Sequence, residues 1–238
     1  MRHSWRERRS TQLIAVLIGV LPVYILALWF HLQGTGSTGL TEMLFYPLVF
    51  GGGSIVVILL LLILLCGEQV RSLDFKAGRW RSDILGGVGL FLLFGLLAAL
   101  EQFTVARWFP SRVNPAFAEL MIGLVENPLL LFIWLGPVVW IGVAGFEELS
   151  RVFMLSRLWK VWPGPLGRWM VILFSAAVFG LVHIYQGLAG VISTGMLGFI
   201  AGLFYMRGGR VWPLIISHGL YDSGWIILGV TLFKRGLL

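Results

Sequence analysis

Two adjacent carboxylates, Glu147 and Glu148, lie within an apolar stretch that runs from about residue 128 to residue 158. A charged side chain near the middle of a bilayer costs roughly 2.5 to 3.5 kcal/mol, so ionisable residues at that depth indicate a functional site. Arg151 lies four residues after Glu147 and three residues after Glu148, so on a helix its side chain reaches either carboxylate. The two glutamates diverge by about 100° around that helix, so they need not do the same job.

Two further apolar segments each carry a histidine with a partner four residues away. Phe179-x-x-x-His183 and His218-x-x-x-Asp222 each place both side chains on one face of a helix. A glutamate in apolar surroundings has a raised proton affinity, which suits a general base near neutral pH. Together these residues favour a functional site, with a purely structural polar network as the alternative.

The composition indicates that a membrane-embedded helical bundle positions these residues. Of the 238 residues, 58% are hydrophobic and 12% are charged, and the mean hydropathy is +0.90. A soluble domain has about a quarter of its residues charged, and around 20 apolar residues span a bilayer as a helix. We predict an all-α polytopic bundle of about seven spans, centred on residues 12–31, 45–66, 84–104, 128–153, 169–186, 188–206 and 211–233.

Basic residues alternate between the predicted loops. Thirteen lie in the N-terminal arm, residues 1–10, and in the second, fourth and sixth loops, the fourth being assigned Arg157, Lys160 and Arg168. Only four lie in the third loop and at the C-terminus. By the positive-inside rule, the arm is cytoplasmic and the C-terminus lies outside. This distribution also argues against nucleic acid as a partner, despite a net charge of +7.

The predicted spans bring the ionisable residues to comparable depths. A helix rises about 1.5 Å per residue, so depth can be measured from the predicted cytoplasmic end of each span. The depth is about 16 Å for Glu147, about 21 Å for His183 and about 10 Å for His218. Side chains bridge such differences. We therefore expect the fourth, fifth and seventh spans to share one site that opens toward the cytoplasm, formed by Glu147, Glu148, Arg151, His183, His218 and Asp222.

Three motifs in this order resemble the CPBP family, which includes the CAAX-processing prenyl endopeptidases and the bacteriocin-immunity proteins and is also called the abortive-infection (ABI) family. The motifs are Glu147-Glu148 with Arg151, Phe179-x-x-x-His183 and His218-x-x-x-Asp222. The resemblance covers residues 128–233 within a single membrane domain of residues 1–238. It implies a membrane-embedded endopeptidase with these residues at its active site.

The first motif departs from the family pattern E-E-x-x-x-R-G, because Arg151 comes one residue early and Val152 replaces the glycine. Alignment on the glutamates keeps both carboxylates, whereas alignment on the arginine puts Phe146 in the place of the first glutamate. We prefer the former, since Arg151 still reaches both side chains. The offset leaves open which of Glu147 and Glu148 is the base.

We assign Glu147 as the general base, Glu148 as its partner or an orienting group, and Arg151 as the counter-charge. His183 would position the water or share its proton. As the resemblance implies, His218 would line the oxyanion side together with the carboxyl group four residues later.

An ionised carboxylate only accepts hydrogen bonds, so an ionised Asp222 could not donate one to an oxyanion. Three interpretations of Asp222 therefore remain open. It is protonated, or it orients His218, or it helps to hold a metal. Glu147, His183, His218 and Asp222 would suffice for a catalytic zinc with one open position, and the family has been described both as metalloproteases and as metal-independent glutamic proteases. No H-E-x-x-H motif is present, so we favour a mechanism without a cofactor, with a divalent metal, Zn, as the alternative.

The sequence therefore predicts a multi-pass intramembrane endopeptidase of the cell membrane, surrounded by lipid. Its expected substrates are membrane-associated peptides, or prenylated CAAX-type tails as the resemblance implies. One alternative is a non-catalytic membrane scaffold or bacteriocin-immunity factor of the same fold. A proton-coupled transporter has less support, because no repeated half with broken helices is found in the chain.

Overall fold

The computed structural model describes residues 8–32, 46–73, 79–109 and 115–236, and every regular element within those ranges is helical. The predicted all-α class is thus confirmed, while most of the basic arm, residues 1–7, lies outside the described residues. The α-helices are α1 (Arg9–Gly19), α2 (Leu21–Leu32), α3 (Gly52–Leu60), α4 (Trp80–Phe103), α5 (Val105–Trp108), α6 (Pro115–Glu126), α7 (Pro128–Ile133), α8 (Ala144–Val161), α9 (Pro165–Val182), α10 (Gly187–Gly208) and α11 (Trp212–Lys234).

Shorter helical pieces join or extend these helices. π-Helical turns at Tyr46–Gly51 and Leu61–Leu65 flank α3, and a π-helical stretch at Trp134–Val143 joins α7 to α8. Short 3-10 turns occupy Val70–Leu73 and Ile184–Gln186. All seven predicted spans correspond to helical structure, although the fourth extends further, to the end of α8, and the fifth begins earlier, at the start of α9.

Six stretches of the described residues are long and apolar enough to cross a membrane: Arg9–Leu28, Pro47–Leu65, Trp80–Phe103, Pro128–Val161, Pro165–Val182 and Ile184–Gly208. The seventh predicted span is present as the 23-residue helix α11. Its polar residues, which include His218 and Asp222, lower its hydropathy. The chain is a multi-pass membrane protein built as a helical bundle.

The fourth span begins at a side-chain cap. The Asn127 side-chain oxygen accepts hydrogen bonds from the backbone N–H groups of Leu129 and Leu130, each at 3.1 Å. Such a cap satisfies donors that the first helical turn leaves without partners. Pro128 occupies the first helical position, where its missing N–H costs nothing.

Gly136 and Pro137 interrupt the same span. Gly136 has φ −98° and ψ −109°, outside the helical region. Pro137 lacks a backbone donor, and its ring clashes with the preceding turn of a regular helix. The π-helical stretch around this break allows α8 to follow its own axis, and the two glutamates lie in the first turn or so of α8.

Close contact between two glycines holds the second span against the fourth. A Cβ on Gly51 would collide with the Gly142 carbonyl oxygen, and a Cβ on Gly142 would lie 2.6 Å from the Pro47 carbonyl oxygen. Only glycine fits at such a backbone contact. Gly52 and Gly53 face open space instead. The contact fixes the backbone just before α8.

The core of the bundle surrounds α8. Val152, Phe153 and Leu155 are completely buried, and α8 packs against α1 and α3 as well as α9, α10 and α11. A helix buried on all sides lies in the interior of a bundle rather than at its lipid-facing surface. The glutamates are therefore carried by a central helix of the fold.

A group of ion pairs holds the far end of α8. The buried Arg157 guanidinium donates two hydrogen bonds to Glu68, one at 2.8 Å, and one to Gln12 at 3.2 Å, while Lys160 also donates to Glu68. The assignment of Arg157 and Lys160 to a loop is wrong, because α8 continues to Val161. Burial raises the pKa of Glu68, but the hydrogen bonds from Arg157 and Lys160 outweigh burial and lower the pKa to about 2.

Candidate active site

The structure brings the predicted site residues onto three neighbouring helices. They lie near the start of α8, directly after α9 and in the first half of α11, and they are Glu147, Glu148, Arg151, His183, His218 and Asp222. Gly198 of α10 supports α9 at this level, because a Cβ on Gly198 would lie 3.0 Å from the Phe179 ring. Gly198 thus lets α10 approach α9, which ends directly before His183.

His218 lies at the centre of the group. Its Nδ1 is 2.8 Å from Glu148 Oε1, and its Nε2 is 3.4 Å from Asp222 Oδ2 and 3.6 Å from Glu147 Oε2. Because an ionised carboxylate only accepts hydrogen bonds, Nδ1 is the donor toward Glu148. One imidazole therefore links both glutamates of α8 to the aspartate of α11.

The two glutamates have different surroundings. The Glu148 side chain is 3% exposed, and its Oε2 accepts from Arg151 Nη1 while its Oε1 accepts from His218. The Glu147 side chain is 19% exposed, and among the described residues its buried Oε2 has no hydrogen-bond donor. Glu148 is thus held on both oxygens, whereas one oxygen of Glu147 remains able to accept a proton.

The preferred alignment of the first motif agrees with this geometry. Both carboxylates face His218. Phe146, which alignment on the arginine would put in the place of a glutamate, instead packs against the Tyr24 ring with centroids 6.0 Å apart. Arg151 pairs with Glu148 from i+3, so the early position of the arginine still supplies a counter-charge.

The Phe179 ring connects the arginine to the two histidines. Arg151 Cζ lies 4.1 Å from the ring centroid, and the ring centroids of His183 and His218 lie 4.8 Å and 6.2 Å away. A desolvated cation over an aromatic face is worth about 2 kcal/mol. The sequence showed Phe179 only as the partner of His183 in a motif, since its contacts with α8 and α11 depend on tertiary packing.

His183 lies where α9 ends. Its Nδ1 is 2.8 Å from the Phe179 carbonyl oxygen, which only accepts, so Nδ1 carries a proton. The 3-10 turn that follows stacks the Tyr185 ring beside the imidazole, with centroids 5.9 Å apart. Tyr185 is also within electrostatic range of Glu147 and Asp222. Tyr185 could not be found from the sequence, because a one-turn helix has no periodic signal.

The zinc alternative would draw on Glu147, His183, His218 and Asp222. Among the described residues, no group of three His, Cys, Asp or Glu side chains is arranged to hold a metal ion. Nδ1 of His218 faces Glu148 and Nδ1 of His183 faces a backbone carbonyl, so Nε2 is the nitrogen that each ring could offer to a metal.

Comparison with known proteins supports the reading of the motifs. A model of the type II CAAX prenyl endopeptidase Rce1-like family matches residues 129–224, a range that contains all three motifs. Neither a curated protein nor a solved structure matched the chain. The predicted resemblance is thereby confirmed: residues 129–224 are similar to the type II CAAX prenyl endopeptidases of the Rce1-like family.

Proposed function

We propose that the protein is an intramembrane endopeptidase that hydrolyses peptide bonds of membrane-associated substrates with a water activated by Glu147. The observation that carries this proposal is the placement of Glu147, Glu148 and Asp222 around the single imidazole of His218 inside an apolar bundle. Ionisable residues at such depth have a cost, and catalysis accounts for keeping them there. The Rce1-like match supports the same class of reaction.

Glu147 is the proposed general base. Its partly exposed carboxylate would take a proton from water as the water oxygen attacks the peptide carbonyl carbon. The resulting tetrahedral intermediate collapses when that proton passes to the leaving amine and the carbon–nitrogen bond breaks. Glu147 then returns to its starting state, so atoms and charge balance over the cycle.

Glu148 and Arg151 are proposed to orient the site rather than to transfer protons. Glu148 accepts from Arg151 and from His218 at once, which leaves it poorly suited to a third partner. Arg151 supplies the buried counter-charge for the two adjacent carboxylates. Its contact with the Phe179 ring keeps the guanidinium in place.

The histidines and Asp222 are proposed to stabilise the transition state. His183 would position the attacking water, and His218, protonated on both nitrogens, would donate its Nε2–H to the developing oxyanion. Asp222 lies 3.4 Å from that nitrogen and would orient the imidazole ring before the oxyanion forms. Of the three readings of Asp222, orientation of His218 agrees best with this distance.

The proposed substrates are membrane-bound peptides, including prenylated C-terminal tails. A site enclosed by spans admits a peptide from the bilayer or its surface, and the type II CAAX prenyl endopeptidase match points to the same substrate class. The clustered basic residues of the loops support a cell-membrane orientation in which the site opens toward the cytoplasm.

The test is cleavage by the purified full-length protein in detergent, with a library of prenylated and transmembrane peptides read out by mass spectrometry. We expect Glu147→Gln to lower kcat by about 10² to 10⁴, as loss of a general base does. Glu126→Gln, an exposed glutamate at the end of α6, is the matched control and should cleave normally.

Two outcomes would contradict the proposal. Normal cleavage by Glu147→Gln would exclude the proposed base, and a wild-type protein that cleaves no peptide would favour a scaffold or immunity factor. Treatment with a chelator tests whether the activity needs a metal. Lasting inhibition, with activity restored by added zinc, would overturn the metal-free mechanism but not the peptidase function.

A further inference from the structure

The first span reaches the candidate site through Tyr24, a residue outside the range that matches the Rce1-like family. Tyr24 lies on α2 and is 7% exposed. Its ring packs against Phe146, the residue directly before the two glutamates, with centroids 6.0 Å apart and planes at 42°. α2 also packs against α9 and against the turn Ile184–Gln186. The phenol therefore lies behind the first turn of α8.

Charged groups of one helix lie near this phenol. Tyr24 is within electrostatic range of Glu147, Arg151 and Glu148, and its hydroxyl approaches the side chain of Ser150. All four of these residues belong to α8. An apolar side chain would fill the same space against Phe146 without contacting them, so the hydroxyl is the feature that needs an explanation.

Several buried polar atoms of α8 lack hydrogen-bond partners in the part of the chain that the structure describes. They are Glu147 Oε2, Ser150 Oγ, Arg151 Nε and Arg151 Nη2. Leaving such atoms unpaired in a low-dielectric interior is costly. The set contains both donors and an acceptor, so a single group that donates once and accepts once would pair two of its four atoms. A phenol hydroxyl has that capacity.

We propose that Tyr24 is a positioning residue for the Glu147 carboxylate. Its hydroxyl holds one enclosed water, and that water donates to Glu147 Oε2 and accepts from Arg151. The carboxylate is then held in the orientation that receives the proton of the attacking water. The catalytic consequence rests on the proposed peptidase function, whereas the hydrogen bonding itself does not.

The first test compares Tyr24→Phe, which removes one oxygen and keeps the ring, with wild type in the cleavage assay. We expect kcat to fall about five- to tenfold, as the loss of one positioning hydrogen bond does, with KM unchanged because Tyr24 does not contact substrate. Tyr205→Phe is the matched control: Tyr205 is equally buried but stacks on Trp159, near the other end of α8. It should leave kcat unchanged.

The second test needs no turnover. The infrared carboxylate band of Glu147, isolated as wild type minus Glu147→Gln, should shift in frequency in Tyr24→Phe and stay in place in Tyr205→Phe. An unshifted band in Tyr24→Phe overturns the proposal, and so does a wild-type kcat in that variant. A shifted band in a protein that cleaves no peptide would uphold the positioning role and refute the peptidase function.

Discussion

Glu147 and Glu148 are neighbours in the chain, yet their different surroundings indicate different roles. Glu148 accepts from Arg151 and from His218 and is almost fully enclosed. Glu147 is partly exposed and keeps an oxygen without a donor among the described residues. The divergence of adjacent residues by about 100° on a helix produces this difference. The early position of Arg151 therefore selects Glu148 as its partner and favours Glu147 as the base.

The Glu148–Arg151 pair should behave as a coupled unit in stability measurements. Replacing Arg151 by Met leaves the buried Glu148 carboxylate without its counter-charge, a loss worth about 3 to 5 kcal/mol. In detergent, we expect a clear fall in the thermal unfolding midpoint of Arg151→Met. The double variant with Glu148→Gln should recover part of that fall, because it removes both charges. Strictly additive effects of the two substitutions would contradict the pairing.

The seven helical segments could be predicted from the sequence because long apolar runs between basic clusters leave few alternatives. The bounds of α8 and α9 could not, since Arg157 and Lys160 suggested a loop and instead pair with Glu68. α6 also escaped prediction, because 12 residues are too short to span a membrane. Its position depends on packing against α11.

The grouping of the candidate site residues could be predicted from the sequence, but their contacts could not. Spacing put His218 and Asp222 on one face, and the structure confirms that they face each other. Nothing in the sequence indicated that His218 contacts both glutamates or that Phe179 lies under Arg151. Such contacts depend on how helices dock, which periodicity within one helix does not encode.

A single added methyl group should disturb the contact between the second and fourth spans. Gly51→Ala places a methyl group against the Gly142 backbone and should destabilise the protein by about 1 to 3 kcal/mol. Gly53→Ala, whose Cβ meets nothing within 4 Å, is the matched control and should be neutral or slightly stabilising. Thermal unfolding of both variants tests this packing, and equal midpoints would refute it.

In the whole molecule, a polar network and an aromatic contact join the N-terminal spans to the region that matches the Rce1-like family. Glu68 and Gln12 hold the end of α8 through Arg157. Tyr24 packs at its beginning. The N-terminal spans are thus part of the framework of the site, although the motifs that predict the site residues all lie in the C-terminal half.

The protonation of Glu68 makes the folded protein less stable as the pH falls. Its pKa is lowered in the folded state from the ordinary value of 4.5 to about 2. The stabilisation is therefore fully present above pH 4.5 and is lost as the pH falls toward about 2. We expect Glu68→Gln to unfold at a lower temperature than wild type at pH 7 and the gap to narrow at about pH 3. Glu126→Gln should show no such gap, and a gap independent of pH would contradict the account.

Single-turnover peptide cleavage in water enriched in oxygen-18, followed by mass spectrometry of product and protein, tests whether Glu147 activates water. If Glu147 activates water for direct attack, the new carboxyl group of the product carries one oxygen-18 and Glu147 carries none. Label in Glu147 would mean that the carboxylate itself attacked the substrate. That result, or unlabelled product, would contradict the mechanism.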